Sequence, residues 1–250
     1  MSRNPGFGER KQGSRIFVLT GAGISAESGI PVFQGTNWRG HSHYELANIE
    51  AWERDPELVW EYYSERRARA RDAKPNAAHL ALAEFEKSHG PDSLFLCTQN
   101  VDGLHEAAGS TEAVHIHGKL FESRCAENCG RSAVIDQKSY SGQDLPRCDC
   151  GALLRPSVCW FGERPYHLER VYGELAGCEM FVAIGTSGQV QPVASFVALL
   201  KERPQPARTI FVGLAEPANS EYFDEVHLGT AAELIPQFLR TLAKFLQIDR

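Results

Sequence analysis

The stretch RIFVLTGAGISAESGIP, from Arg15 to Pro31, decides the fold. It opens with a short β-branched and apolar run, which is typical of a strand buried on both faces of a parallel sheet. Gly21 and Gly23 follow directly, where the chain should turn from this strand into a helix. Glycines at such a turn let the backbone approach a pyrophosphate, and the helix N-terminus offers N–H donors and a positive dipole. The stretch therefore predicts nucleotide binding, with a simple tight turn as the alternative.

The glycine spacing is not that of an ordinary dehydrogenase. Gly29 follows Gly23 by six residues, whereas the G-x-G-x-x-G fingerprint has its third glycine three residues after the second. No second strand follows with an acidic residue about 20 positions on, where a dehydrogenase binds the ribose. The nucleotide site is therefore predicted from the strand–turn–helix context and not from the fingerprint.

Three later apolar runs look the same, and each ends in a small-polar or glycine-rich turn. They span Leu94–Thr98, Met180–Ile184 and Thr209–Val212. Helical stretches lie between them, so the pattern predicts an α/β fold with a parallel sheet and helices on both of its faces. The last stretch, AAELIPQFLRTLAKFLQI from 231 to 248, has its apolar residues on one helical face and predicts a packing helix.

Two intervals interrupt this alternation of strands and helices. About seventy residues separate the first two strands, far more than a crossover needs, and the helix-like segments 56–72 and 75–87 predict a helical insertion there. The second interval, 121–156, is rich in Cys, Gly, Ser and Asp and too poor in apolar residues to form its own core. We therefore expect it to need a metal ion.

Four of the seven cysteines lie in this second interval: Cys125, Cys129, Cys148 and Cys150. Four thiolates suit a tetrahedral zinc ion, and a closed all-cysteine site is structural and not catalytic. The spacings are less common than C-x2-C, and chance clustering is the alternative. A disulfide framework is not expected, since the N-terminus lacks the apolar core of a secretion signal. The pattern favours one structural Zn²⁺ per chain and a reducing, cytoplasmic location.

The overall charge limits the possible partners. The chain has 250 residues, a formal net charge of −6 and no long basic stripe, which argues against nucleic acid as the main partner. No apolar run approaches the ~20 residues that span a bilayer, so no membrane partner is expected. The oligomeric state is left open, and a monomer is compatible with the sequence.

Polar side chains follow the second predicted strand, in TQNVDGLH (98–105). Asn100 and Asp102 would lie at a carboxyl end of the sheet, where open α/β sheets bind ligands, although a polar turn explains them equally well. In the nearby VHIHG, His115 and His117 point the same way if the run is a strand. Histidine is the usual general base, whereas a lone histidine is more often a structural group.

A further small-polar turn, GTSGQVQPVASF (185–196), follows the third predicted strand. The backbone and hydroxyl donors of Gly185, Thr186 and Ser187 could hold a second part of a dinucleotide. Helix capping by Thr186 or Ser187 explains the turn nearly as well.

Taken together and in this order, these motifs resemble the sirtuin family from Arg15 to about Leu239. The resemblance rests on GAGISAESGIP, TQNVDGLH, the HG pair, the four cysteines, LRPSVCWFGE and GTS. It implies a Rossmann-like NAD-binding domain with a small zinc-binding and helical domain. Residues 1–13 would form a disordered lead-in, residues 14–34, 92–120 and 157–250 the large domain, and residues 35–91 and 121–156 the small domain.

The resemblance implies an NAD-dependent deacylase that acts on acylated lysine side chains of proteins and yields nicotinamide, O-acyl-ADP-ribose and free lysine. His117 would be the general base, and Gln99 and Asn100 would contact the nicotinamide ribose. Asp102 would hold the nicotinamide carboxamide. The other residues implied in NAD binding are Gly21, Ala22, Gly23, Ile24, Phe33, Gly185, Thr186, Ser187, Gly213 and Ala231. Those implied in binding the substrate peptide are Val158, Phe161, Gly162 and Glu163.

The acyl group would be selected by Tyr63 and Arg66, which lie three residues apart in a predicted helix and so share a face. In the sirtuin subgroup that removes succinyl and malonyl groups, a Tyr-x-x-Arg pair at this place binds the acyl carboxylate. A guanidinium offers a bidentate fork for that carboxylate. The alternative is a solvated arginine-rich helix face, since Arg67, Arg69 and Arg71 follow. We therefore expect either removal of acetyl groups, or removal of succinyl and malonyl groups, or both.

The sequence departs from the family pattern at several positions. Gln34 replaces the arginine that usually follows Phe33, which removes an expected charge near the NAD phosphates, and Val32 replaces a polar residue. The segment GLAE at 213–216 stands in place of an Asn-x-Glu turn. The Gln34 change keeps two alternatives open: transfer of ADP-ribose to water or to a protein side chain, and a non-catalytic sensor of NAD or ADP-ribose.

Overall fold

The computed structural model describes residues 16–32, 37–90 and 92–248. The described strands are β1 (Ile16–Thr20), β2 (Asn37–Trp38), β3 (His41–Ser42), β4 (Leu94–Thr98), β5 (Ala113–His115), β6 (Gly118–Cys125), β7 (Val134–Ile135), β8 (Leu154–Val158), β9 (Met180–Ile184), β10 (Arg208–Gly213) and β11 (Glu225–Leu228). The described α-helices are α1 (Gly23–Ala26), α2 (His43–Leu46), α3 (Ile49–Arg54), α4 (Pro56–Arg71), α5 (Ala77–His89), α6 (Leu104–Ala108), α7 (Leu168–Gly177), α8 (Phe196–Lys201) and α9 (Ala231–Ile248). None of these helices combines the length and the apolar character needed to cross a bilayer.

Six strands form one parallel sheet in the order β11-β10-β9-β1-β4-β5. β1 lies near its middle, and Ile16 pairs with Met180 on one side and with Leu94 on the other. The four predicted strands coincide with β1, β4, β9 and β10, and the predicted packing helix coincides with α9. Of the two short outer strands, β5 overlaps the strand-like run VHIHG, and β11 was not predicted.

Alternate side chains of the central strands point to opposite faces of the sheet. On one face, Phe17 and Leu19 pack with Phe95 and Phe181 against α7 and α8. On the other face, Val18 and its neighbours pack against α5 and α9. The predicted parallel sheet with helices on both faces is therefore confirmed.

A third apolar cluster lies between α2–α4 and a small antiparallel sheet in the order β7-β6-β8. Trp60 and Trp160 are its largest fully buried side chains. Arg67 is buried beside them, with its Cζ atom 5.0 Å from the Trp60 ring centroid, and donates to the Leu120 and Glu122 carbonyls of β6. A guanidinium can be buried when its N–H groups are paired in this way. Arg67 thus ties the helical insertion to the cysteine-rich interval.

Helix α5 packs differently from the rest of the interval 35–91. Its residues Ala78, Leu82 and Phe85 lie in the core of the large sheet together with α9, whereas α3 and α4 belong to the third cluster. The domain bounds given above stay a prediction, and packing groups α5 with the large sheet.

The turns that follow β1 and β9 come into backbone contact. The Gly23 N–H donates to the Gly185 carbonyl at 2.8 Å. A Cβ atom on Gly23 would lie 2.7 Å from Gly185 Cα, and one on Gly185 would lie 2.5 Å from the Ile24 nitrogen. Gly185 also has a φ of +63°, which other residues rarely adopt. Both positions therefore require glycine.

Replacing Gly185 by alanine should lower the free energy of unfolding by about 2 kcal/mol or more, because the new Cβ meets the α1 backbone at a positive φ. Gly173→Ala is the matched control. Gly173 lies inside α7 with nothing within 4 Å of an added Cβ, and alanine there should stabilise the helix by about 0.5–1 kcal/mol. Urea unfolding followed by circular dichroism measures both variants. Equal stabilities would contradict the close approach of the two turns.

Candidate functional site

A cavity of about 670 Å³ lies at the carboxyl ends of β1, β4, β9 and β10. Open parallel sheets bind ligands at this edge. The predicted site residues that line it are Gly21, Ala22, Gly23, Tyr63, Arg66, Gln99, Asn100, Asp102, His117, Val158, Phe161, Gly162, Glu163, Gly185, Thr186, Ser187, Gly213 and Ala231. Ile24 is not among them, because its side chain is fully buried in the sheet core. The contact of Ile24 with NAD that the resemblance implies, through its backbone, stays a prediction. Phe33 and Gln34 lie outside the described residues.

Asn100 is held by its backbone and by its side chain. Its backbone N–H donates to Thr98 Oγ1 at 3.0 Å, and its Nδ2 donates to the Gly21 carbonyl and to Ser25 Oγ, both at 3.1 Å. Ser25 in turn donates to Asp102 Oδ2 at 3.1 Å. The polar segment after β4 is thereby fixed to the glycine turn after β1.

Asp102 is buried at the floor of the cavity. Burial raises the pKa of its carboxyl group, and the hydrogen bonds from the Leu104 N–H and from Ser25 oppose that rise. Its Oδ1 accepts from the Leu104 N–H at 3.1 Å. A carboxyl group in this setting favours a ligand that brings N–H donors, as a carboxamide does.

A layer of polar side chains beneath the cavity was not identified from the sequence. Ser25 Oγ lies 3.5 Å from His79 Nε2, Thr20 Oγ1 lies 3.0 Å from His105 Nε2, and the two imidazole rings are 4.9 Å apart. Burial lowers the pKa of His79 to about 4 and that of His105 to about 3, so both rings are neutral. His79 lies on the buried face of α5. The periodicity of a helix predicts which residues are buried but not which of them lie beneath a ligand cavity, so the sequence around His79 does not indicate this role.

His117 lines the cavity with a defined tautomer. Its Nδ1 lies 3.1 Å from the Gln99 carbonyl, and because a carbonyl only accepts, Nδ1 carries the proton. The lone pair of the neutral ring is therefore on Nε2. Burial lowers the pKa of His117, and the hydrogen bond to Gln99 partly opposes this shift. A neutral imidazole at the edge of a ligand cavity can accept a proton from a bound hydroxyl.

His115 has a different place. β5 ends at His115, so the strand alternation predicted to orient His115 and His117 alike does not continue to His117. His115 is buried and does not line the cavity. Its Nδ1 lies 2.9 Å from the Asn100 carbonyl, and its Nε2 lies 2.8 Å from Glu106 Oε1.

The turn after β9 forms the opposite side of the cavity. Gln99 Nε2 donates to Thr186 Oγ1 at 3.1 Å and so connects the segments that follow β4 and β9. The next helical turn begins at Val193 and has Pro192 at its N-cap. Neither Thr186 nor Ser187 caps it, so the capping alternative is wrong.

Glu163 lines the cavity, but its carboxylate is engaged within the protein. Arg155 Nη1 and Nη2 donate to its two oxygens at 2.7 and 2.9 Å, and the Trp160 N–H donates at 2.7 Å. The Arg155 Cζ atom lies 3.2 Å from the centroid of the Trp160 ring. Glu163 therefore holds the end of β8 and the segment that follows it, where Val158 and Phe161 line the cavity.

Tyr63 and Arg66 both line the cavity, as expected for residues one helical turn apart. Burial raises the pKa of Tyr63, whose oxygen accepts from Trp160 Nε1 at 3.0 Å. Arg66 Nη1 donates to the Tyr62 hydroxyl at 2.8 Å, and that hydroxyl lies 2.8 Å from His43 Nδ1. Tyr62 and His43 also line the cavity. Their pairing joins α4 to α2, so helix periodicity could not reveal it.

The four predicted zinc ligands converge. The Sγ atoms of Cys125, Cys129, Cys148 and Cys150 all lie within 4.8 Å of one another. Those of Cys125 and Cys150 are 3.6 Å apart, and those of Cys129 and Cys148 are 3.7 Å apart. Zn–S bonds of about 2.3 Å in a tetrahedron place sulfur atoms about 3.8 Å from each other. The donor set therefore fits a structural zinc ion, with Cys150 as a full member.

Comparisons with known proteins agree with this geometry. A family model described as the Sir2 family matches residues 21–192. An NAD-dependent protein deacylase of Pasteurella multocida is 44% identical over 234 residues, which cover 90% of this chain and 96% of the relative. One of Escherichia coli (strain K12) is 40% identical over 248 residues, which cover 96% of this chain and 86% of the relative. The solved structure of a Sir2 homologue in complex with NAD has a TM-score of 0.84 at 39% identity, covering 93% of this chain and 91% of that chain.

These matches extend along nearly the whole chain and include its glycine turn, its histidine pair and its four-cysteine cluster. The solved structure shares the arrangement of the sheet and of the elements beside it. The resemblance found in the sequence is therefore confirmed, and this chain belongs to the Sir2 family.

Proposed function

We propose that this chain is an NAD-dependent protein lysine deacylase that transfers the acyl group to the ADP-ribose part of NAD and releases nicotinamide. The proposal depends mainly on the position of His117. Its neutral imidazole lines the same cavity as the glycine turns and the Asn100–Asp102 segment. The relatives that are named NAD-dependent protein deacylases support it.

The cavity residues fit NAD. Gly21, Gly23 and Gly185 present bare backbone at the sheet edge, which suits a pyrophosphate. Asn100 and Asp102 offer a carboxamide and a carboxyl group to the nicotinamide riboside part. When bound, NAD supplies the ribose carbon that takes up the acyl oxygen as nicotinamide leaves.

In this proposal His117 accepts a proton from a ribose hydroxyl at Nε2, which activates that hydroxyl toward the acyl carbon. The hydrogen bond from Nδ1 to Gln99 keeps the ring in the tautomer that can do so. The walls that carry Val158 and Phe161 would bind the peptide and exclude water from the reacting ribose.

Mass spectrometry with NAD and an acyl-lysine peptide tests the function. His117→Ala should lower kcat/KM by about 10²- to 10⁴-fold, because it removes the general base. His89→Ala is the matched control, since His89 Nδ1 also bonds a backbone carbonyl (Phe85, 3.1 Å) but does not line the cavity. Nicotinamide release that does not need the peptide would favour ADP-ribose transfer to water. NAD binding without nicotinamide release would favour a sensor.

The acid limb of the pH profile tests the state of His117. Burial holds the pKa of His117 below the ordinary value of 6.5, so half of the rings are protonated only at a pH below that value. We therefore expect kcat/KM for the peptide to fall as the pH is lowered, with the midpoint of the fall below pH 6.5. A limb centred above 6.5 would contradict the assignment.

We also propose that the enzyme removes acidic acyl groups such as succinyl and malonyl. Tyr63 accepts from Trp160, whose indole N–H can only donate, so the Tyr63 proton is directed to another acceptor. Arg66 lines the cavity on the same helix face. A phenol donor and a guanidinium together suit a carboxylate at the end of an acyl chain.

Matched acetyl-lysine and succinyl-lysine peptides test this selectivity. Arg66→Ala should lower kcat/KM for the succinyl peptide by about 10- to 100-fold and leave the acetyl peptide within about twofold, because only the succinyl group has a carboxylate to pair. Arg71→Ala is the control, since Arg71 is exposed on the same helix and bonds the Gln137 carbonyl away from the cavity. An equal loss for both peptides would contradict pairing with the acyl carboxylate, and no loss for either peptide would return Arg66 to the role of a solvated surface residue.

We also propose that the protein is located in the cytoplasm. Zinc binding requires Cys125, Cys129, Cys148 and Cys150 as reduced thiolates, and thiols stay reduced in the cytoplasm.

A further inference from the structure

His115 has both ring nitrogens against acceptors. Nδ1 lies 2.9 Å from the Asn100 carbonyl and Nε2 lies 2.8 Å from Glu106 Oε1, and the ring is buried. A carbonyl oxygen only accepts, and so does an ionised carboxylate. Glu106 is partly exposed and its Oε1 lies 3.1 Å from Lys119 Nζ, which favours the ionised carboxylate. Both hydrogen bonds form together only when both nitrogens carry protons.

The two histidines of the H-x-H motif contact consecutive carbonyls. His117 Nδ1 donates to the carbonyl of Gln99, and His115 Nδ1 donates to the carbonyl of Asn100. These carbonyls belong to the segment that carries Asn100 and Asp102 into the cavity. The orientation of that segment therefore depends on both rings, although only His117 lines the cavity.

We propose that His115 is a positioning residue, held as an imidazolium by Glu106, that fixes the Asn100 peptide and thereby the Gln99–Asp102 segment for NAD binding. It acts through Asn100 and touches neither the cavity nor the reacting groups. The proposal rests on NAD binding in this cavity.

The charged and titratable groups around His115 are consistent with a paired cation. Glu106 of α6 is its direct partner, and Lys119 of β6 lies 3.1 Å from the same carboxylate oxygen. Asp102 acts on His115 from the segment after β4. His105 of α6 also faces it but is neutral, because burial lowers the pKa of His105 to about 3. The Glu106 carboxylate is thus shared by His115 and Lys119.

Loss of the His115 hydrogen bond would leave a buried carbonyl unpaired. Asn100 would then be held only through its backbone N–H and its Nδ2, and its peptide plane could turn. Because Asn100 is proposed to contact NAD and His115 touches no reacting group, the effect should fall on KM for NAD much more than on kcat.

Two variants and one control test the proposal in the full-length protein. His115→Phe keeps a ring but removes both donors, and should raise KM for NAD about tenfold while kcat changes by less than about threefold. Glu106→Gln removes the charge but lets a neutral His115 still donate to Asn100, so KM should rise only about twofold. His227→Phe is the control, because His227 pairs with Glu225 at 3.1 Å on the exposed surface and should leave both constants unchanged.

The charge itself is read by ¹⁵N NMR of the imidazole nitrogens. At pH 7.5 the wild-type His115 should show two protonated nitrogens, and Glu106→Gln should convert it to one protonated and one bare nitrogen. A bare nitrogen in the wild-type ring would overturn the proposal, as would an unchanged KM in folded His115→Phe. If His115→Phe does not fold, the wild-type spectrum and the Glu106→Gln kinetics still decide. Failure of the wild type to bind NAD in calorimetry would contradict the proposed function but leave the NMR result intact.

Discussion

The approach of Gly23 to Gly185 is the contact on which the rest of the structure depends. β1 and β9 are neighbours in register from Ile16–Met180 to Thr20–Ile184, so both strands end at the same level of the sheet. The turns that follow must then pass each other at one point, where any Cβ atom would meet backbone. Because the two turns have no side chains at this point, they stay in backbone contact. Both turns also line the ligand cavity, so their contact fixes one side of it.

The polar segment after β4 is held in place because β4 ends at the same level of the sheet as β1 and β9. Thr98 pairs with Thr20, so β4 ends beside β1, and each turn is hydrogen-bonded to its neighbour. Asn100 binds the turn after β1, and Gln99 binds the turn after β9. The chemistry-bearing side chains are thus positioned by hydrogen bonds to the turns that follow the neighbouring strands. A small shift at one strand end would therefore move the ligand contacts of the other two.

Much of the fold could be predicted because it depends on local pattern. The buried strands are apolar at every position, α9 is amphipathic over five turns, and the four cysteines share a short interval. β11 was missed because it is short and only partly apolar. Helix α5 was recognised, but a periodic apolar face does not indicate which core covers it. Ser25 and His79 are 54 positions apart, and such a pair becomes visible only when the sheet and the helices are assembled.

Four histidines gather around the Asn100 segment, and burial together with the hydrogen-bond partners decides how each behaves. His79 and His105 face hydroxyl groups through Nε2, their buried Nδ1 atoms have no hydrogen-bond partner among the described residues, and burial keeps both rings neutral. His117 meets one carbonyl and keeps a lone pair on its other nitrogen. His115 meets two acceptors and needs two protons. The H-x-H motif in the sequence does not predict this difference. The difference arises from the Gln99 and Asn100 carbonyls, which follow β4, and from Glu106. Two chemically identical side chains, two positions apart, therefore have different roles: His117 lines the cavity, and His115 holds the Asn100 carbonyl behind it.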